Sequence, residues 1–438
     1  MLPYTPLHEL LLAAAGRPLV MTSANLSDEP MVCDDAEARR RLAGIADALL
    51  LHERVIANRC DDSVARVVGR RPLLLRRARG YVPAPLALPR AVSRPLLACG
   101  GHLKNAYCLA AGDQAWLGPH VGDLETEEAC RAFEESLERF QRFTGIAPEA
   151  VAHDLHPDYF TTRWARERRA PCLGVQHHHA HVASCMVEHG LAGPVLGLAW
   201  DGTGWGGELL LATAGACERL ATFRPIPLAG GERAIRQVWR SALALLDQAF
   251  DGDPPLARLP LFDGVAAAEV ETVRRMIARG LNSPSAHGVG RFFDAFGALA
   301  LARGAASHEG QVAMHFAELA RGGGVEPLPF ECEPDVDLRP AMRAAVEAVL
   351  AGARPAAIAS RFHATLIAAA EAQVRRAAAR HGRLPVVLSG GCFQNPRLVD
   401  GVRRALRDFR VYRHARVPAG DGGLALGQIA VADARLRA

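Results

Sequence analysis

Short apolar runs alternate along the chain with stretches in which apolar residues recur every three or four positions. The first pattern is typical of buried strands and the second of amphipathic helices, so together they predict an α/β protein. The helical spacing predicts helices over residues 36–43, 126–144, 177–188, 233–249, 266–279, 340–350, 357–381 and 396–406, and a last helix after residue 423. The apolar runs predict strands over 17–21, 48–51, 65–68, 72–75, 96–99, 105–110, 114–117, 172–175, 195–200, 209–214, 384–388 and 410–412.

Two glycine-rich turns occupy matching places in this pattern. The strand predicted at 96–99 leads into Gly100 and Gly101, and the strand at 195–200 leads into DGTGWGG at 201–207. Each turn is followed by a strand that returns along the first. Two strand–turn–strand units of the same shape predict a duplicated architecture.

A proline-rich segment separates two predicted domains. Residues 83–95, PAPLALPRAVSRP, contain four prolines and are typical of a linker. We therefore predict a small α/β domain over 1–90 and a larger domain over 95–438. The first domain begins abruptly, and we expect its initial part to be missing.

The composition is that of a globular protein. Apolar residues make up 50% of the chain, enough to offset the entropy cost of ordering it. The net charge of +4 is too small to indicate a nucleic-acid partner. No apolar run reaches the ~18 residues that span a bilayer and no signal sequence is evident, so we expect a cytoplasmic protein with no membrane partner. The ten cysteines include no C-x-x-C pair, which excludes a local zinc knuckle and favours buried thiols.

The densest chemical signal is QHHHAH at 176–181, at the start of a predicted helix. Residues four apart share a helix face, so His177 and His181 could bind one metal ion through their imidazole nitrogens. The spacing also permits His178 with His181, and a solvated histidine-rich helix start is the alternative. Two histidines under-coordinate a metal, and Asp201 and Asp421, each next to a glycine, are the candidate carboxylate ligands.

Glycine-rich turns are the second signal, because they expose backbone N–H groups that suit phosphate oxygens. The turn at 201–207 is neither a Walker loop nor a dinucleotide fingerprint, and a plain hairpin is an equal alternative. Ser389-Gly390-Gly391, ahead of a helix, has the geometry of an anion site or of an ordinary loop. Lys104 is the sole lysine among 51 Lys plus Arg residues; it could place a compact charge on a phosphate or lie on the surface.

The first domain has a third signal, in which Thr22-Ser23-Ala24-Asn25 is accompanied by several arginines. Arginine clusters suit phosphate or carboxylate groups, although solvated arginines are the commoner case. The arginines concerned are Arg66, Arg70, Arg71, Arg76, Arg77 and Arg79.

Taken together, motifs that extend from Leu2 to Gln428 resemble the HypF family, the carbamoyltransferases of nickel–iron hydrogenase maturation. The order of the motifs fits this family better than the antibiotic O-carbamoyltransferases, in which we expect the reverse. The matching segments are LPYTPLHELLL, SANLSDEP, RCDDSVAR, RRARGYVP, LKNAYCL, HVGDLE, AHDLHPDY, VQHHHAH, DGTGWG, EGQVAM, SGGCFQN and AGDGGLALGQ.

This resemblance implies a fold and a reaction. It implies that residues 1–90 are the rear part of a YrdC-like domain, which makes carbamoyl-adenylate from carbamoyl phosphate and ATP with Mg²⁺. It implies that residues 95–438 are a TsaD-like, two-lobed domain of the actin-like ATPase fold, which passes the carbamoyl group to a thiol. The acceptor would be the C-terminal cysteine of the partner HypE, and the product would be the cyanide ligand precursor.

The resemblance also implies roles for individual residues. The implied ligands of a site metal, iron or zinc, are His177, His181, Asp421 and, less directly, Asp201, and the family pattern favours His177 over His178. Lys104 and Asp201 are the candidates for catalysis. The implied nucleotide-binding residues are Ser23, Asn25, Lys104, Asn105, Gly202, Asp294, Gly390, Gly391 and Asn395.

The chain also departs from the family pattern. Family members carry an acylphosphatase domain, a cysteine zinc-finger region and a full YrdC-like domain, whereas here the first two are absent and the third begins midway. Asp28 stands where we expect glycine in SANLSDEP. We therefore expect an intact TsaD-like half and an incomplete adenylate-forming half. The alternatives are a transferase acting on a small-molecule hydroxyl and an inactive fragment that binds nucleotide and metal.

Overall fold

The computed structural model describes residues 2–26, 29–202, 204–322, 324–333 and 335–438. Its strands are β1 (Val64–Val68), β2 (Arg71–Arg76), β3 (Leu86–Ala87), β4 (Leu96–Ala98), β5 (Cys108–Ala111), β6 (Gln114–Leu117), β7 (Ala150–Asp154), β8 (Cys172–Val175), β9 (Val195–Trp200), β10 (Gly207–Ala212), β11 (Cys217–Ala221), β12 (Ile226–Pro227), β13 (Ser285–Ala286), β14 (Glu331–Cys332), β15 (Val336–Asp337), β16 (Val386–Ser389) and β17 (Val411–Arg413).

The α-helices are α1 (Pro6–Ala15), α2 (Asp35–Arg41), α3 (Glu127–Thr144), α4 (Phe160–Arg166), α5 (His177–Glu188), α6 (Arg233–Arg236), α7 (Trp239–Ala249), α8 (Ala267–Ala278), α9 (Val289–Leu301), α10 (Gln311–Leu319), α11 (Arg339–Leu350), α12 (Pro355–His381), α13 (Pro396–Ala405) and α14 (Leu424–Arg437). Short 3-10 turns cover Leu256–Arg258, Pro260–Phe262, Gly391–Gln394 and Asp421–Gly423. No helix in the described part of the chain combines the length and the apolar character needed to cross a membrane.

Two sheets with the same topology form the main body and confirm the predicted duplication. In the first lobe, β4, β5 and β6 form an antiparallel meander, and β7 and β8 add in parallel on the other side of β4. In the second lobe, β9, β10 and β11 form the meander, and β16 and β17 add in parallel beside β9. The short strand β3 extends the first sheet beyond β6.

Each lobe ends in a helix that packs on the sheet of the other lobe. Helix α5 follows β8 of the first lobe but contacts β9, β10 and β16 of the second. Helix α14 follows β17 of the second lobe but contacts β4, β5, β7 and β8 of the first. The two helices also pack on each other, so closely that a Cβ atom on Gly427 would overlap the carbonyl oxygen of Ala180.

The main hydrophobic core lies between the second sheet and the helices inserted between β11 and β16. Helices α7, α9 and α12 contribute most of its large side chains, including Phe292, Phe296 and Phe362. The apolar spacing predicted α7 and α12 because their buried positions recur every three or four residues. Helix α9 was missed because it is buried on nearly every face, which removes the polar positions that mark a helical period.

The residues before β3, which include α1, α2 and the hairpin β1–β2, form an N-terminal unit. The hairpin joins this unit to the second lobe. The guanidinium of Arg413, at the end of β17, donates hydrogen bonds to the carbonyl oxygens of Val68 at 2.9 Å and Pro72 at 3.4 Å. Val68 and Leu73 of the hairpin enter the main core. This docking explains why the hairpin is ordered although it forms only a two-stranded sheet.

Several local predictions were wrong. No strands form at 17–21 or 48–51, where Val20 and Leu50 are exposed, because an apolar run without a neighbouring strand leaves its backbone unpaired. The helix predicted at 233–249 is interrupted between α6 and α7. The strand predicted at 105–110 begins only at Cys108, because Asn105 belongs to the preceding turn. Asp28 lies outside the described residues, and the predicted domain limits 1–90 and 95–438 stay a prediction.

Candidate metal and nucleotide site

Strand β8 ends at Val175, and helix α5 begins with the histidines at His177. Gln176 caps the helix by accepting the His179 backbone N–H at 2.7 Å. His177 and His181 then lie one turn apart and face the loops of the second lobe. Nε2 of His181 lies 3.1 Å from Oδ2 of Asp201, and Nε2 of His177 lies 3.7 Å from the same oxygen.

The carboxylates come from two separate loops of the second lobe. Asp201 follows β9, and Asp421 begins the 3-10 turn that leads into α14. Asp421 Oδ1 lies 3.7 Å from Nε2 of His177 and 3.5 Å from Nε2 of His181. One ligand atom from each of the four residues lies within 4.8 Å of the other three. Two imidazole nitrogens and two carboxylate oxygens are a donor set that fits iron or zinc.

The charges of the four groups depend on one another. Burial opposes ionisation of Asp201, but hydrogen bonds from His177 and His181 outweigh it and hold its pKa well below the usual value. Burial and Asp201 both disfavour ionisation of Asp421, yet the two histidines lower its pKa to about 2. Burial disfavours protonation of His177 and His181, but the carboxylates raise the pKa of both. A bound cation would therefore replace protons held between ionised carboxylates.

His178, the alternative partner of His181, is not one of the four residues of this cluster. Its Nδ1 lies 3.1 Å from Nε2 of Gln176. Burial, reinforced by the neighbouring His177 and His181, lowers the pKa of His178 to about 3, so the ring is neutral. The geometry thus groups His177 with His181, as the family pattern favoured.

Asp154 was missed in the sequence, and it contacts His177 at Nδ1, the ring nitrogen that does not face Asp201 and Asp421. It ends β7 and is buried, and its Oδ2 accepts a hydrogen bond from Nδ1 of His177 at 2.6 Å. Burial opposes ionisation, but the hydrogen bond from His177 lowers the pKa of Asp154. The position of Asp154 at the end of an apolar strand in AHDLHPDY was the available signal, because side chains at strand ends of α/β sheets face functional crevices.

The glycines after β16 bring a second loop against Asp201. Gly390 has a φ of 97°, and a Cβ atom there would overlap the carbonyl oxygen of Trp200. The backbone N–H of Gly391 donates to Oδ1 of Asp201 at 3.3 Å. Asn395 caps α13 by accepting the Arg397 backbone N–H at 2.9 Å, and its Nδ2 donates to Nε2 of His363 at 2.9 Å. The loop after β16 therefore contains two glycines, leads to the N-terminus of α13 and lies beside Asp201.

The first-lobe turn lies on the other side of the cluster. Gly101 approaches so closely that an added Cβ would lie 3.3 Å from Oδ2 of Asp421. Asn105 is buried and donates to the carbonyl oxygens of Cys99 and Gly101, so it holds the turn. Lys104 has a φ of 48° and places Nζ 3.6 Å from Oε2 of Glu309. Burial opposes its charge, but Glu309 and the site carboxylates raise the pKa of Lys104.

Gly202 and Asp294 are connected through a buried arginine. Nε of Arg291 donates to the carbonyl oxygen of Gly202 at 2.9 Å, and Nη2 of Arg291 lies 3.1 Å from Oδ2 of Asp294. Asp294 is buried on α9, and burial raises its pKa to about 6 although Arg291 lowers it. The pair links α9 to the turn that carries Asp201.

A buried polar chain lies beneath the glycine loop. Oγ of Ser389 lies 2.9 Å from Nε2 of His414, whose Nδ1 lies 3.1 Å from Oε2 of Glu188. Oε1 of Glu188 accepts the backbone N–H groups of Ala415 and Arg416. Glu188 is the last residue of α5, so the chain ties the histidine helix to the segment that leads to Asp421.

Ser23 and Asn25 lie apart from the metal cluster. They line a cavity of about 270 Å³ between the N-terminal unit and the first lobe. Of the arginines noted in the sequence, Arg76 also lines this cavity and donates to Oδ1 of Asp61 at 2.8 Å. His120 contributes from the first lobe, and burial, with a smaller contribution from Arg76, lowers its pKa to about 4.

Comparison with known families accounts for nearly the whole chain. The family model described as "Carbamoyltransferase, Kae1-like Domain, second subdomain" matches residues 194–428. The model described as "HypF Kae1-like domain" matches residues 91–188. The Sua5, YciO and YrdC model, described as "Telomere recombination", matches residues 1–78. The predicted fold class, a YrdC-like part followed by a two-lobed TsaD-like domain, here matched as Kae1-like, is confirmed.

Individual relatives carry the same family name. Carbamoyltransferase HypF2 of Cupriavidus necator is 42% identical over 99% of this chain and 60% of its own length. A carbamoyltransferase HypF homolog of the same organism is 37% identical over 77% of this chain and 91% of its own. A crystal structure of full-length HypF in a phosphate- and nucleotide-bound form is 37% identical and superposes with a TM-score of 0.94, covering 100% of this chain and 71% of that one.

These comparisons place the chain among proteins that combine a YrdC-like part with a Kae1-like domain. More narrowly, the chain belongs to the HypF family. It spans about 60% of the length of the first two curated relatives.

Proposed function

We propose that the chain transfers a carbamoyl group from carbamoyl-adenylate to a thiol during nickel–iron hydrogenase maturation. The observation that carries the proposal is the convergence of His177, His181, Asp201 and Asp421 beside two glycine turns, in a chain of the HypF family. The acceptor is the C-terminal cysteine of HypE, and carbamoyl phosphate with ATP and Mg²⁺ supplies the adenylate. The phosphate- and nucleotide-bound form of a relative supports nucleotide binding.

The transfer step is an acyl substitution. The acceptor sulfur bonds to the carbamoyl carbon, the bond from that carbon to the phosphate oxygen breaks, and AMP leaves while the thiol proton is released. Because the nucleophile belongs to the partner, none of the ten cysteines of this chain needs to react. Burial raises the pKa of Cys392, the cysteine next to Asp201, which keeps it a poorly reactive thiol.

The four clustered residues are the proposed metal ligands, with His177 and His181 as neutral imidazoles and Asp201 and Asp421 as carboxylates. A bound iron or zinc ion would act as a Lewis acid toward a phosphate or carbamoyl oxygen. Asp201 has a second role, because its Oδ1 also accepts the backbone N–H groups of Gly202 at 2.8 Å and Gly391 at 3.3 Å. Asp201 thereby fixes both glycine loops relative to the metal ligands.

The two glycine loops and Lys104 are the proposed phosphate-binding elements. A Cβ atom at Gly202, Gly390 or Gly391 would crowd Glu309, the carbonyl oxygen of Trp200 or Asp201, so the absence of side chains lets these loops lie close to the cluster. Lys104 supplies a positive charge near the cluster, and the raised pKa keeps that charge at neutral pH. Asn395 at the start of α13 and Asp294 on α9 are proposed to position the rest of the nucleotide.

The decisive experiment supplies carbamoyl-adenylate, so that transfer is measured independently of adenylate formation. The acceptor is a HypE-like peptide that ends in cysteine, and wild-type chain is compared with His177→Ala and with His381→Ala. His381 is exposed at the end of α12, so its variant is the matched control. We expect transfer by wild type and His381→Ala, and a loss of at least about 100-fold in His177→Ala.

Two results would contradict the proposal. Transfer to small-molecule hydroxyls but not to the cysteine peptide would favour an O-carbamoyltransferase. Tight ATP binding by folded, metal-loaded chain without any transfer would favour a fragment that binds nucleotide and metal only.

A further inference from the structure

The strongest unassigned feature beside the cluster is the buried contact between Asp154 and His177. Asp154 receives two hydrogen bonds, from Nδ1 of His177 to Oδ2 at 2.6 Å and from the backbone N–H of His156 to Oδ1 at 3.0 Å. Its side chain is only 3% exposed. Its backbone carbonyl also accepts the hydroxyl of Thr162 at 2.9 Å, which fixes the strand end.

This contact determines which nitrogen of His177 carries the proton. An ionised carboxylate can only accept hydrogen bonds, so Nδ1 of His177 must be the donor. In the neutral ring Nε2 then has a free electron pair, and Nε2 is the atom that lies 3.7 Å from both Asp201 and Asp421. The opposite tautomer would present a proton to the cluster and could not bind a cation there.

We propose that Asp154 is a positioning residue that fixes the tautomer and the ring orientation of His177 for metal binding. The inference rests on the proposed metal site, but it concerns a residue outside the four ligands. His181 receives no equivalent contact from Asp154, so the effect is specific to one of the two histidines.

Asp154→Asn is a sharp test because it preserves the size of the side chain. The backbone N–H of His156 cannot change its role, and asparagine offers a single acceptor oxygen in place of two. If that oxygen accepts from His156, the amide NH2 faces Nδ1 of His177 and favours the tautomer that cannot bind a metal. If it accepts from His177, the amide NH2 and the backbone N–H of His156 face each other as two donors.

The experiment compares wild type, Asp154→Asn, Asp154→Glu and Asp158→Asn. Asp158 is exposed four residues further along the chain, so the same substitution there is the matched control. Affinity for Zn²⁺ and Fe²⁺ is measured by competition with a chromophoric chelator, together with the thermal midpoint. We expect Asp154→Asn to bind each ion about 10- to 100-fold more weakly, Asp158→Asn to match wild type, and Asp154→Glu to lose less.

A second measurement does not need a metal. In metal-free protein labelled with ¹⁵N-histidine, the short hydrogen bond should give the His177 Nδ1–H proton a downfield resonance, assigned by its absence in His177→Gln. We expect this resonance in wild type and Asp158→Asn, a shifted one in Asp154→Glu, and none in Asp154→Asn.

The outcomes separate the inference from the proposed function. Wild-type metal affinity in Asp154→Asn, or an unchanged resonance, would overturn the role of Asp154. If wild type binds neither ion, the metal site itself is wrong, and the resonance still decides whether Asp154 fixes the ring. If Asp154→Asn does not fold, Asp154→Glu and the wild-type resonance provide the test.

Discussion

The two lobes place a hydrogen-bonded pair at the same point of the same topology. In the first lobe, Asp154 ends β7, the first parallel strand, and contacts His177, which follows β8. In the second lobe, Ser389 ends β16, the first parallel strand, and contacts His414, which follows β17. The first histidine faces the carboxylate cluster, whereas the second is fully buried and is backed by Glu188.

The difference shows how a duplicated scaffold separates two tasks. A carboxylate at the strand end polarises a histidine and presents its other nitrogen to the site, while a hydroxyl at the equivalent position leaves the histidine as a neutral structural link. Burial lowers the pKa of His414, although Glu188 raises it, so its ring stays neutral. The first pair therefore faces the carboxylate cluster, and the second pair links α5 to the segment that leads to Asp421.

The largest effect is expected where the two lobes exchange helices. Gly427→Ala forces a methyl group onto the carbonyl oxygen of Ala180, and the backbone of α5 must move. We expect a loss of about 3 kcal/mol in the free energy of unfolding, measured by urea denaturation. Gly215→Ala is the control, since its Cβ would make an ordinary contact of 3.7 Å with Ala434. Equal stability of both variants would show that the helices are not in backbone contact.

The next effect tests whether both lobes contribute equally to the metal site. His177 begins α5 and Asp421 precedes α14, so each lobe offers a ligand at the start of its exchanged helix. We expect His177→Gln and Asp421→Asn each to weaken Zn²⁺ binding by roughly 100-fold, about 2.7 kcal/mol. A chelator competition assay measures both. A large effect of only one variant would contradict a site shared between the lobes.

A smaller effect is expected at the support of the second pair. Glu188 accepts three N–H groups, from His414, Ala415 and Arg416. Glu188→Gln keeps the shape but replaces one acceptor oxygen by an amide NH2, which faces the buried His414 ring or the two backbone N–H groups and should cost about 2 kcal/mol of unfolding free energy. Differential scanning calorimetry with Glu149→Gln, an exposed site, as control measures the difference. An unchanged melting temperature would show that the second pair is not needed to hold the loop.

The smallest effect concerns pH and a histidine of the second lobe. Burial lowers the pKa of His363 to about 4, and its neutral Nε2 accepts from Asn395. Below pH 6.5 the unfolded chain binds a proton at this position that the folded chain does not, so stability falls as the pH falls. We expect the slope of unfolding free energy between pH 6.5 and 4.5 to be shallower in His363→Asn by about 1 kcal/mol per pH unit. The exposed His381→Asn is the comparison variant, and an unaltered slope in His363→Asn would contradict the neutral ring.

The repeated strand–turn–strand pattern was enough to predict the duplicated sheets. The strands 114–117 and 195–200 were predicted with their observed limits, and the second is buried at every position, so it leaves a continuous apolar run. The exchange of α5 and α14 could not be predicted, since it depends on which sheet a helix face meets and not on the helix pattern. The exposed apolar runs near Val20 and Leu50 misled the same reasoning.

The residues of the proposed metal site were predictable for different reasons. The spacing of His177 and His181 follows from helix geometry alone, whereas Asp201 and Asp421 were singled out by neighbouring glycines. Asp154 was missed because its importance comes from a contact between residues that lie on separate elements. Glu309, which meets Lys104, belongs to the same class of residues that only the three-dimensional arrangement reveals.

The exchanged helices also bear on how the chain folds. The meander and parallel strands of the first sheet are close in sequence, which favours early pairing. One face of that sheet is nevertheless covered by Leu424, Leu426 and Ile429 of α14. The sheet therefore stays open on that side until the far end of the chain docks. The first lobe thus completes its hydrophobic core with a helix that follows the second lobe, which makes the stability of each lobe depend on the other.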